Sequence, residues 1–128
     1  MQIFRHAALL AFAAVLAACA PAQPEFVRPA GSATYPPTQF VDMLDAPPSR
    51  PYQEIGVIEV PGEAGALRAQ VLAQIRTKAQ EIGAQAVILT DLSRPAPVTQ
   101  RLNPTTGQME TVGGQTIPAF RGVAIRYR

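Results

Sequence analysis

Residues 52–91 constrain the fold of this chain more than any other part. Tyr52-Gln53-Glu54-Ile55-Gly56-Val57-Ile58-Glu59-Val60 alternates with period two. Tyr52, Glu54, Gly56, Ile58 and Val60 fall on one face and Gln53, Ile55, Val57 and Glu59 on the other, and aliphatic residues at the centre of both predict a strand well inside a sheet. Pro61-Gly62-Glu63-Ala64-Gly65 breaks it. A helix is then expected over about 64–82, because Leu67, Val71, Ile75, Ala79 and Ile82 recur at spacings of four, four, four and three and form one apolar stripe. Glu63 is expected near the positive end of its dipole, Lys78 near the negative end, and Gly83 at its stop. The short apolar run Gln85-Ala86-Val87-Ile88-Leu89-Thr90-Asp91 reads as a buried strand parallel to the first, joined to it by a right-handed crossover.

The flanks add strands. Val98–Leu102 and Gln108–Val112 border the turn residues Asn103-Pro104-Thr105-Thr106-Gly107, which predicts a protruding β-hairpin, either an interaction site or an elaboration of the scaffold. Residues 119–128 close the chain as a strand with Val123, Ile125 and Tyr127 on one face and Arg126 and Arg128 on the other, so one face is expected against the helix and the other wetter. Thr38–Asp45 reads as a short edge strand, although Phe40, Met43 and Leu44 also fit one helical face. The fold class is therefore α+β: a small three- to four-stranded mixed sheet, made of the βαβ unit plus a C-terminal antiparallel strand and hairpin, with one helix on one face. The domain is expected to span 37–128 and to have a modest core.

Ahead of it, Arg5 precedes the apolar run Ala7–Val15 and small residues lead to Cys19, the layout of an export signal. The run is shorter than the roughly 20 residues a membrane span needs. Leu16-Ala17-Ala18-Cys19 resembles the bacterial lipobox, which implies removal of residues 1–18 and covalent lipid on Cys19. Ala20, rather than aspartate, implies outer-membrane sorting by the same resemblance. Eight of the thirteen prolines lie between Ala20 and Pro51, so 19–36 reads as a lipidated tether, a defined spacer or simple slack. Its extended part reaches roughly 40 Å at about 3.1 Å per residue.

Maturation limits the chemistry. The only cysteine is consumed by lipid and the only histidine leaves with the signal, so neither thiol nor imidazole remains for catalysis, haem or zinc, and no intrachain disulfide forms. The net charge of +2 falls by one with Arg5 and there is no tryptophan, which argues against nucleic acid. The turn after Val60 lacks a full phosphate-loop pattern, and Glu63 opposes an anion there. Asp42, Asp45, Glu54, Glu59 and Asp91 show no catalytic spacing, and Glu54 and Glu59 fall on opposite strand faces. Arg94, Arg101, Arg121, Arg126 and Arg128 concentrate near the C-terminus, as solvated strand edges or as contacts for phosphates or an acidic partner. No catalytic residue, metal site or small-molecule substrate is expected. Arg101, Asn103, Met109, Arg121 and Arg126 are the candidate partner contacts.

Pro48–Ile58, the amphipathic helix, Ala79-Gln80-Glu81-Ile82-Gly83-Ala84-Gln85-Ala86-Val87-Ile88 and Gly122–Tyr127 together resemble small uncharacterised bacterial lipoproteins with a βαββ domain. More distantly, the chain is similar to the Rcs envelope-stress sensor lipoprotein and to a small-domain family labelled as heavy-metal binders. The sensor's domain carries disulfides, which a single cysteine cannot supply, and no soft metal ligand survives maturation. The expected function is non-enzymatic: a periplasm-facing outer-membrane lipoprotein that binds another envelope protein as sensor, adaptor or assembly factor. The alternative is a self-assembling, homo-oligomeric envelope subunit.

Overall fold

The computed structural model describes residues 22–128; the expected export signal and the expected lipid attachment at Cys19 lie outside the described residues. In chain order the elements are β1 (Glu25–Val27), β2 (Asp42–Leu44), β3 (Tyr52–Val60), α1 (Arg68–Glu81), β4 (Ala86–Asp91), β5 (Arg94–Pro95), β6 (Thr99–Leu102), β7 (Met109–Val112), β8 (Thr116–Ile117) and β9 (Phe120–Tyr127). The class is α+β, with a mixed sheet in the order β1-β3-β9-β4-β2 and a single helix. Only β2 and β4 pair in parallel. β3 and β4 run the same way, as a strand–helix–strand unit requires, but β9 lies between them and hydrogen-bonds to both.

One face of the sheet is closed by α1, which packs on β3, β9 and β4. Val71, Ile75, Ala79 and Ile82 meet Ile55, Ile58, Val60, Val87, Phe120 and Ala124 in the core. Ile58 and Ile75 are fully buried, each contributing about 1.5–3 kcal/mol relative to exposure. The helix begins at Arg68 rather than near residue 64, because Gly65 adopts φ +84°, outside helical geometry. Leu67 is consequently an exposed N-cap rather than part of the stripe, with its N–H donated to Gln70 Oε1 at 3.3 Å. Glu63 lies outside the first turn and accepts the Ala22 N–H at 3.4 Å instead.

A β-bulge at Glu54–Gly56 changes which residues share a face. Before it, Glu54 stands opposite Ile125; after it, Val57 stands opposite Val123 and Glu59 opposite Arg121. Glu54 and Glu59 therefore share the face turned away from α1, against the strict alternation expected of this strand. About four residues of β9 still separate them, roughly 13 Å. On β9 the helix covers the side of Phe120, Ala124 and Arg126, and the Val123 side is the one left without it.

The stretch read as a tether contributes to the sheet. β1 pairs with β3 through Glu25↔Glu59, Phe26↔Ile58 and Val27↔Val57. Phe26 packs against the core, and its ring occupies the space a side chain on Gly56 would need. The folded domain therefore starts before residue 37. Residues 35–41 close the C-terminal end of α1: Thr38 N–H donates to Gln80 O at 3.0 Å and its hydroxyl to Ala84 O at 2.6 Å. Val41 is buried and β2 follows as the edge strand, whereas Phe40 points to solvent.

Candidate interaction site

The hairpin is the outer half of a longer arm. β5 pairs with β8 and β6 with β7 in the same register that joins β4 to β9, running from Ala86↔Ile125 through Arg94↔Ile117 to Leu102↔Met109. Leu92 N–H to Ala119 O (2.8 Å) and Ala96 N–H to Gln115 O (2.7 Å) bridge the gaps. Pro97 and Pro118 have no N–H to donate, which interrupts the ladder without changing its register. At about 3.3 Å per residue, Leu92 to Leu102 extends roughly 30 Å beyond the sheet.

The tip is tied down by Asn103. Its Oδ1 accepts the N–H groups of Thr105 (2.9 Å) and Thr106 (3.3 Å), and its Nδ2 donates to Glu110 at 3.2 Å. Arg101 lies 3.6 Å from Glu110 across the ladder. Leu102 and Met109 stand opposite each other, with Val98 on the same side by alternation, and all three are more than half exposed. A two-stranded ribbon is marginal by itself in water. This one exposes aliphatic surface that the rest of the domain does not cover.

The second candidate surface is the sheet face opposite α1, which is closed at Ala86 and Ile125, both fully buried, and opens towards β1. The pairing lines up Val27, Val57, Val123, Ile88 and Leu44 in one row across all five strands. Val27 is 67% exposed and the other four are half-buried. A neighbouring row carries Glu25, Glu59, Arg121 and Thr90, with Arg121 3.4 Å from Glu59. The row was invisible in the linear sequence, because each strand supplies a single member and only the register brings them together.

The five candidate contacts fall in three places. Arg101, Asn103 and Met109 lie on the arm; Arg121 borders the aliphatic row. Arg126 sits at the other end of the sheet, where its Nη1 donates to Gly83 O at 2.6 Å and its guanidinium lies 4.5 Å from the Tyr35 ring. Gln53 in turn donates to the Tyr35 hydroxyl at 2.7 Å. Asn103 and Arg126 are thus engaged in holding a turn and a helix end. Arg101 and Met109 present more of their surface.

Asp91 marks the junction of sheet and arm. The Ser93 side chain, Arg68 at 2.8 Å and the Ser93 N–H at 2.9 Å all hydrogen-bond its carboxylate and hold its pKa down at about 2. Arg68 also lies 4.6 Å over the Phe120 ring, so helix start, sheet and arm base meet here. An open concavity of about 400 Å³ lies between Gln23–Pro24 and the α1 residues Ala73–Glu81, where Lys78 and Glu81 pair at 3.3 Å. Among the described residues, no three His, Cys, Asp or Glu side chains group as a metal site, and no helix is long and apolar enough to cross a membrane. Comparison with protein-family models, curated proteins and solved structures found no match.

Proposed function

We propose that the chain is an outer-membrane lipoprotein, lipidated on Cys19 and facing the periplasm, that binds another envelope protein as sensor, adaptor or assembly factor and carries out no reaction. The observation that supports this most is the aliphatic row Val27–Val57–Val123–Ile88–Leu44, aligned on the face away from α1, with Val27 exposed and the other four partly so. Apolar side chains aligned across a sheet and rimmed by charge are the pattern of a protein contact. Several long acyl chains on Cys19 make attachment effectively permanent, so such a partner meets this face at the membrane.

The same row favours a second reading, a homo-oligomer. Glu25 and Glu59 border it beside Arg121, and a two-fold axis through the row can set the acidic border of one copy against the basic residue of the other. Photo-crosslinking in cells from position 123 separates the readings. An adduct with a different envelope protein is expected; one at twice the mass of this chain selects the homo-oligomer, and no adduct from positions 57, 88 or 123 would sink both. Cys19→Ser tests the anchor independently, with loss of fatty-acid labelling and of membrane association expected.

A further inference from the structure

The attachment point and the arm occupy the same end of the domain. Ala22 is held at Glu63, just past the end of β3, and Glu25 stands opposite Glu59 there. The arm leaves from that end too: Phe120 is paired on one side with Val60 and on the other with Asp91, where β4 passes into the arm. Two residues, Ala20 and Pro21, separate Cys19 from Ala22, so the three steps between them make a leash that spans at most about 11 Å at 3.3–3.6 Å per residue.

That leash is short against the lengths on either side of it. The arm runs roughly 30 Å one way, and β3 alone gives the body roughly 26 Å the other way. Standing on end, the domain would drive either the arm or the body into the bilayer. The orientation that keeps both above the surface lays the long axis in the membrane plane. The polar tip Asn103–Gln108, whose turn is closed by its own hydrogen bonds, does not suit deep insertion. One side of the arm is the more apolar: Val98, Leu102 and Met109 are 64%, 57% and 60% exposed beside the polar pair Gln100 and Thr111, while Thr99, Arg101 and Glu110 take the other side with Val112, 42% exposed. Apolar side chains at the boundary between headgroups and acyl chains gain burial there without loss of backbone pairing.

We propose that the Val98, Leu102 and Met109 side of the arm rests on the lipid surface of the bilayer that holds Cys19, a second contact that lays the domain flat. The inference rests on Cys19 being the lipid attachment. With Cys19 acylated, a new cysteine is the only free thiol, so full-length lipoprotein carrying Leu102→Cys, Met109→Cys or, on the opposite side, Thr99→Cys can be labelled with an environment-sensitive fluorophore. In vesicles of phosphatidylethanolamine and phosphatidylglycerol, labels at 102 and 109 are expected to shift to the blue and to be quenched several-fold more by nitroxide lipids than the label at 99.

Three results overturn the contact: no shift at 102 or 109 on vesicles that carry the protein, equal quenching at all three positions, or a shift only on native outer-membrane vesicles. The last assigns the arm to a protein. A failed anchor reads out separately, as fluorophore reacting at Cys19 in the unsubstituted protein and no association with vesicles.

Discussion

Gly83 is the residue where backbone geometry and packing coincide. It has φ +79°, and a Cβ there would come within 2.6 Å of both Pro36 O and Tyr35 Cβ. The helix needs this left-handed residue to end, and the segment that closes the helix end needs the empty space. Gly83→Ala is expected to cost at least the 1–2 kcal/mol of a left-handed non-glycine residue, about that again if the segment cannot shift, read as a lowered urea midpoint of the soluble domain. Asp91 is the second case. Its folded pKa lies below the usual 3.8, at about 2, so its contribution is complete above the unfolded value and is lost as pH falls from about 4 towards 2. Carboxyl NMR titration should place its midpoint near 2. Ser93→Ala and Arg68→Ala should each raise the midpoint, because each removes a side-chain hydrogen bond that holds the carboxylate ionised, the Ser93 bond first.

Among the elements, β1 and the arm make opposite predictions. β1 is three residues long, yet Phe26 fills the hollow over Gly56 and packs on the core. Phe26→Ala should therefore destabilise by about 2 kcal/mol, below the 3–5 of a fully buried ring because Phe26 is only partly buried. Every residue of β6 and all but Glu110 of β7 are exposed. Replacing 99–112 by a tight glycine-containing turn should change stability by less than about 1 kcal/mol and leave a single cooperative transition. A large loss would mean that the arm belongs to the core. The difference is one of burial: β1 contributes a ring to the interior, while the arm contributes surface.

At the scale of the whole molecule, one sheet separates two environments. α1 seals one face, and the other carries an aliphatic row bordered by Glu59 and Arg121. Val123→Asp should lower the unfolding free energy by about 1–3 kcal/mol, because the side chain is only partly exposed on a strand paired on both sides, and still leave the domain folded, since it lies away from the helix. It should also abolish the adduct formed from a crosslinker at position 57 or 88. Loss of folding with loss of the adduct would place Val123 in the core instead.

What could be read without coordinates was local. β3, α1, β4 and the hairpin follow from periodicity, proline and turn chemistry acting within a dozen residues, so their places on the chain came out within a few positions. Gly65 moved the start of the helix because one φ angle outweighed a continuing apolar stripe. The insertion of β9 between β3 and β4, the bulge that regroups Glu54 with Glu59, and the recruitment of a proline-rich stretch as β1 depend on pairings between distant residues. The candidate site shows the same division. Met109 and Arg101 were visible as residues of an exposed hairpin, whereas the row from Val27 to Leu44 exists only once five strands are in register. Local sequence sets which segments can be strands or helix; burial of Phe26, Phe120 and the helix stripe selects which strands meet and which face stays open.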